Sequence, residues 1–165
     1  MTESEYLRKK AKEIRKETLL IHKRAPETRV ASSLSPIEVF VALYYGKVLN
    51  FDPKNPLWEG RDRFVISKGH GSISMYPILA DLGFFDKSEL EKVCRPSSFL
   101  GGIPDPIIPG YETINGSLGH GMGGWMRYGC CAKSKKLRFI RICDSRRRRT
   151  KRGVKLGGGD VCRTQ

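Results

Sequence analysis

The sequence of 165 residues has no CxxC pair, and no apolar run approaches the roughly 20 residues that cross a membrane. Its opening stretch, MTESEYLRKKAKEIRKE, is charged where a secretory core would be apolar. The five cysteines are an odd number and show no CxxC spacing, which gives no sign of a disulfide framework. A reduced, cytoplasmic protein with no membrane partner is the expectation. Acid is scarce in one region only. Residues 1–123 hold 17 Lys and Arg against 15 Asp and Glu, a net +2, whereas residues 124–165 hold 14 against 2, a net +12. The body is almost neutral, which excludes reading the whole chain as a basic, nucleic-acid-seeking protein.

What is present reads as alternating helices and a strand. From Ser4 to about Lys23, Tyr6, Leu7, Ala11, Ile14, Leu19, Leu20 and Ile21 recur at helical spacing among charges, predicting an amphipathic helix. Arg24 to Ala31, with Pro26, reads as a loop. Ser35 as N-cap, Pro36 at the first helical position and Glu38 three residues past Ser35 predict a capping box. The helix it opens has Val39, Phe40, Ala42, Leu43 and Tyr44 on most sides and should be buried. After the loop NFDPKNPLWEGRDR, Arg63 to Ser67 predicts a buried strand ending in the glycine-rich turn Lys68-Gly69-His70-Gly71. Ser72 to Leu82 predicts a helix that Pro77 starts late or kinks. Asp86 to Glu89 predicts a second capping box, with a helix to about Cys94. Arg95 to Gly116, rich in proline and glycine, reads as a long irregular segment of the kind that binds. Such alternation implies an α/β domain with a parallel sheet. Gly116 to Gly123 (GSLGHGMG) can serve as a tight turn or bring backbone amides to a ligand.

The runs Ser32-Ser-Leu-Ser35, Leu49 to Pro56 (LNFDPKNP), Trp58 to Phe64 (WEGRDRF), Ser67-Lys-Gly-His70 and Gly116 to Gly121 (GSLGHG) together resemble the N-terminal section of transketolase, across about residues 4–123. The resemblance implies a thiamine-diphosphate-binding fold, an α/β doubly wound parallel sheet, here incomplete. It implies thiamine diphosphate held through Mg²⁺, with His70 as catalytic and cofactor-binding residue beside the diphosphate. A neutral imidazole can donate to a phosphate oxygen or shuttle a proton near pH 7; equally, a histidine can simply close a strand end. Gly116 and Leu118 would contact the aminopyrimidine ring, and His120 would face the cofactor. The family's two substrate histidines are missing, for Arg29 and Ile103 stand at their apparent equivalents. That departure bears on the usual ketose and aldose phosphates.

Residues 124–165 differ in kind. Where the family carries Gly-Asp-Gly-Glu, whose aspartate is a hard oxygen donor suited to Mg²⁺, the chain has Arg146 to Arg149, followed by Leu156 to Gly159. Four arginines bind no cation, so no metal ligand is assigned. Reading one nucleotide later, arginine codons can encode Gly-Asp-Gly-Glu. Val154-Lys155-Leu156 can then give Ser-Ser-Trp, and Gly157 to Gly159 Glu-Ala-Val, as in the family. The basic tail therefore reads as a frame-shifted remainder of the same domain, from a mutation or a sequencing error. Its strand counterpart, Leu137 to Cys143, carries Arg138 and Arg141, and a buried unpaired charge is costly; poor docking is expected.

The functional expectation is the N-terminal section of a transferase of carbohydrate metabolism that, when complete, moves a two-carbon ketol unit between sugar phosphates, as in the pentose phosphate pathway. As partner, the resemblance implies a C-terminal transketolase section or subunit, in a homodimer or heterotetramer. It implies that the isolated chain lacks activity. The competing expectation is a basic-tailed nucleic-acid-binding module, or a non-functional translation product. Trp125, Tyr128 and Phe139 all precede the arginine run, so base stacking is poorly provided for.

Overall fold

The computed structural model describes residues 2–66 and 68–112, and the backbone of 143–144. Helix α1 spans Glu3–Arg24. Thr2 caps it: the Glu5 N–H donates to Thr2 Oγ1 at 3.3 Å, and the Thr2 N–H donates to Glu5 Oε2 at 2.7 Å. Acid in its first turn and His22, Lys23 and Arg24 in its last both favour the helix dipole. Ala11, Ile14, Thr18 and Ile21 form its buried face, the period predicted for this stretch.

The next segment corrects the predicted capping box. Helix α2, Val30–Leu34, begins before Ser35, and α3 spans Ile37–Tyr45. Ser35 has helical backbone angles (φ −69°, ψ −29°) and cannot cap α3; Pro36 takes the cap position and makes no side-chain cap bond. The Ser35 hydroxyl donates instead to the Ser32 carbonyl at 3.3 Å. Glu38 turns outward to pair with Arg15. Ile37, Phe40, Val41, Leu43 and Tyr44 are buried, but Val39, expected in the core, is 47% exposed.

Strand β1, Val65–Ile66, is buried and pairs in parallel with β2, Cys143–Asp144, in the register Val65↔Cys143 and Ile66↔Asp144. Parallel pairing agrees with an α/β architecture, although the described residues are mostly helical. Expected to dock poorly, residues 143–144 nonetheless join the sheet through their backbone. A 3₁₀ helix, Gly69–Ser74, succeeds β1 where a simple turn was predicted, and leads into α4, Met75–Leu82. Pro77 lies in the first turn of α4, where its missing N–H costs no helical bond. Gly83 ends the helix in the left-handed region at φ +88°, as glycine readily does.

The second predicted capping box is half realised. Asp86 accepts from the Ser88 N–H at 2.7 Å, but Glu89 pairs with Lys92, and the chain continues as a 3₁₀ helix, Lys87–Lys92. Cys94 leaves it at φ +62°. Residues 95–112 are irregular, as predicted, and are tied down by the Tyr76 hydroxyl, which donates to the Gly101 carbonyl at 2.6 Å. The core packs α1, α3 and α4 around Phe40, Phe64 and Tyr76. The Phe40 and Phe64 rings meet edge to face at 5.6 Å. Among the described residues no helix is long and apolar enough to cross a membrane.

Candidate functional site

Strand β1 delivers its carboxyl end into Lys68-Gly69-His70-Gly71, and in open α/β sheets ligands gather beyond the carboxyl ends of strands. His70 stands there exposed, while Lys68 and Gly71 on either side are buried. The turn is tied to α2. Ser33 Oγ lies 3.3 Å from both the Arg29 and the His70 carbonyl oxygens, and Lys68 Nζ donates to the Ser32 carbonyl at 2.9 Å and to Ser35 Oγ at 2.6 Å. The runs SSLS and SKGH, bonded here across 36 positions of sequence, thus form one structural unit. Sequence reasoning marked both runs but assigned Lys68, Ser32 and Ser33 no role, and gave Ser35 only that of a helix cap.

A second tie joins WEGRDRF to the end of the irregular segment. Arg61 meets Glu112 in a two-point pair, Nε to Oε1 at 3.2 Å and Nη2 to Oε2 at 3.1 Å, with both side chains almost buried. Arg63 Nη1 lies 3.6 Å from the same carboxylate. Arg29, at the start of α2, and Ile103 are both exposed. Gly116, Leu118 and His120 lie outside the described residues, as do Ser67 and Arg146 to Arg149. Of the predicted cofactor contacts, His70 is therefore the one the described structure places.

His70 fits a phosphate-facing role, being an accessible donor at a strand's carboxyl end on a backbone held by neighbours. Among the described residues no group of three or more His, Cys, Asp or Glu is close enough to hold a metal. A cleft of about 320 Å³ lies between α1, α4 and the 87–92 helix, lined by Glu13, Glu17, Asp81 and Glu91 among others. It contains none of the predicted site residues.

The family described as transketolase, thiamine diphosphate binding domain, matches residues 10–141. The chain belongs to this family. It is 40% identical over 116 residues to a 6-deoxy-6-sulfo-D-fructose transketolase subunit from a Clostridium species, a match covering 70% of this chain and 42% of the relative. An apulose-4-phosphate transketolase subunit from Actinobacillus succinogenes is 36% identical over 118 residues, with the same coverage. Among solved structures, the transketolase of Campylobacter jejuni superposes with a TM-score of 0.78 at 26% identity, covering 87% of this chain and 23% of that one. The chain thus spans less than half the length of these curated relatives. Its structural neighbours share the doubly wound α/β fold of the thiamine-diphosphate-binding domain, in agreement with the fold class read from sequence.

Proposed function

We propose that this chain is the N-terminal, thiamine-diphosphate-binding section of a transketolase-type enzyme. The complete enzyme moves a two-carbon ketol unit between sugar phosphates, and this chain alone is inactive. The observation that carries the reading is the joint one: a family match over residues 10–141, with an exposed His70 at the carboxyl end of β1 inside that match. Thiamine diphosphate, when bound, supplies the carbon centre that carries the two-carbon unit, and protein supplies position and proton transfer. His70 would donate to a diphosphate oxygen or hold a proton near the reacting centre. Gly116 and Leu118 would lie against the aminopyrimidine ring and His120 on the cofactor side.

Mg²⁺ belongs to the proposal through the Gly-Asp-Gly-Glu that a shifted frame places at Arg146 to Arg149. The basic residues 124–165 are, in this reading, a frame-shifted remainder of the domain, and the domain is incomplete in the present frame. The two residues of β2 pair with β1 just before the arginine run, where the family's strand before Gly-Asp-Gly-Glu would stand. A separate C-terminal subunit is the proposed partner, since relatives of this chain are named as subunits. The cytoplasm is the proposed compartment.

Calorimetric titration with thiamine diphosphate and Mg²⁺ tests this reading. The 165-residue chain should bind weakly or not at all. A chain carrying the shifted frame after residue 123, continued to full length and mixed with a C-terminal subunit, should bind. Mg²⁺-dependent micromolar binding by the 165-residue chain would overturn the proposed inactivity. A single intact frame through codons 124–165 on resequencing the gene would remove the frame shift.

A further inference from the structure

We propose that Lys68 is the positioning residue of this site: its buried ammonium draws the Ser32–Ser35 segment onto the turn and thereby fixes where the exposed His70 stands. The proposal rests on the cofactor-site reading for its functional meaning, but its geometry stands without it. Lys68 is only 5% exposed. A lysine is seldom buried without partners, because moving its charge out of water is costly. Here it donates to a backbone carbonyl, Ser32, and to a hydroxyl, Ser35, each contributed by the α2 segment. The same segment returns a bond to the turn, from Ser33 Oγ to the His70 carbonyl.

Gly71 completes the lock. A Cβ there would stand 3.0 Å from the Ser32 carbonyl oxygen, 3.3 Å from Lys68 Cδ and 3.4 Å from Lys68 Cε. A side chain at position 71 would press on the lysine stem and the Ser32 carbonyl, each of which would have to give by a few tenths of an ångström. His70 is thus the outward-facing member of a turn whose neighbours on both sides are buried. Its ring reaches solvent while its backbone cannot drift. In the proposed enzyme, that is the arrangement a proton donor needs, since small misplacements of a donor lose much of its effect.

Amide hydrogen exchange on the full chain tests the lock at three hydrogen-bonded reporters: the Gly71 amide, bonded to the Lys68 carbonyl, and the Ser32 and Ser33 amides, bonded to the Arg29 carbonyl. Lys68→Met should speed exchange at these amides about tenfold or more and move the His70 ring resonance, with partial rescue in Lys68→Arg. Lys10→Met, in a remote ionic cluster, serves as comparator and should lower the melting temperature without either local effect. Equal changes in the two methionine variants, or no change in Lys68→Met, would overturn the proposal. If Lys68→Met does not fold, Gly71→Ala decides, since it presses on the same lock without removing the charge. It should show the same local signature, and its absence would refute the lock. Adding thiamine diphosphate and Mg²⁺ to these samples bears only on the cofactor reading, because no cofactor effect leaves the exchange result intact.

Discussion

Two lysines of this domain stand in different settings. Lys10 meets a carboxylate: Asp81 Oδ2 accepts from Lys10 at 2.9 Å and from the Tyr45 hydroxyl at 2.8 Å, and Asp81 Oδ1 accepts from Lys87 at 2.7 Å. Lys10 also lies over the Tyr45 ring, 5.3 Å from its centre. This hub ties α1, α3 and α4 together on a partly solvated face, with Asp81 21% exposed. Lys68, in contrast, is buried and donates to a carbonyl and a hydroxyl. The hub holds helices that form the body; the lysine at the site holds the α2 segment against the turn after β1, two stretches that come together from distant positions. Charge pairing near water is adaptable and tolerant. Burial against fixed backbone acceptors is neither, and it is used where a turn has to stand still.

The contrast sets an order of effects. Lys68→Met should be the more destabilising change, by about 1–3 kcal/mol, because it removes a charged donor from the part-buried bonds to the Ser32 carbonyl and Ser35 hydroxyl. Asp81→Asn should lower stability less, about 1 kcal/mol, since its partners reach water and an exposed pair such as Asp81 with Lys87 is worth little. Chemical denaturation of both variants checks the ranking. If Asp81→Asn proves the larger loss, burial is not what distinguishes the two lysines.

How far the sequence foretold this arrangement depends on which physical signal each element carries. α1 was readable because its apolar residues repeat at helical spacing among charges, and β1 because a short apolar run ends in glycine. The Ser35 capping box was not. Its residue types fit a helix start, but Ser35 already sits in helical backbone at the end of α2, and Lys68 claims its hydroxyl. Nothing local could show that, because the lysine comes from 33 positions away. Glu38 and Glu89 fail as capping partners for a related reason, since each has a cation within reach, Arg15 and Lys92. At the site, motif resemblance singled out His70, yet Lys68 within the same SKGH run drew no attention. A lysine in sequence carries no sign of burial. The Arg61 and Glu112 pair was equally silent, being formed across 51 positions.

The smallest effect separates the two regions by pH. Two groups in the body should make stability fall in acid, at different points. Burial pushes His22 below the ordinary imidazole value. Thr28 Oγ1 gives its proton to the Ala25 carbonyl at 2.5 Å, so at His22 it accepts from Nδ1–H. Nε2 is then the unprotonated nitrogen, buried with no hydrogen-bond partner among the described residues. The unfolded chain takes up a proton first, so this contribution is complete above about pH 6.5 and is lost as pH falls below it. Asp81 acts later. Burial alone would raise its carboxyl, but hydrogen bonds from Lys87, Lys10 and Tyr45 outweigh that and hold it well below the usual range. Its contribution is present above about pH 4 and is lost as pH falls through the folded value. Melting temperatures between about pH 7 and pH 3 should therefore decline in two steps. His22→Gln should flatten the upper step and Asp81→Asn the lower. A His22→Gln curve that keeps the upper step, or an Asp81→Asn curve that keeps the lower, would show that these two groups do not set the acid limit of the body.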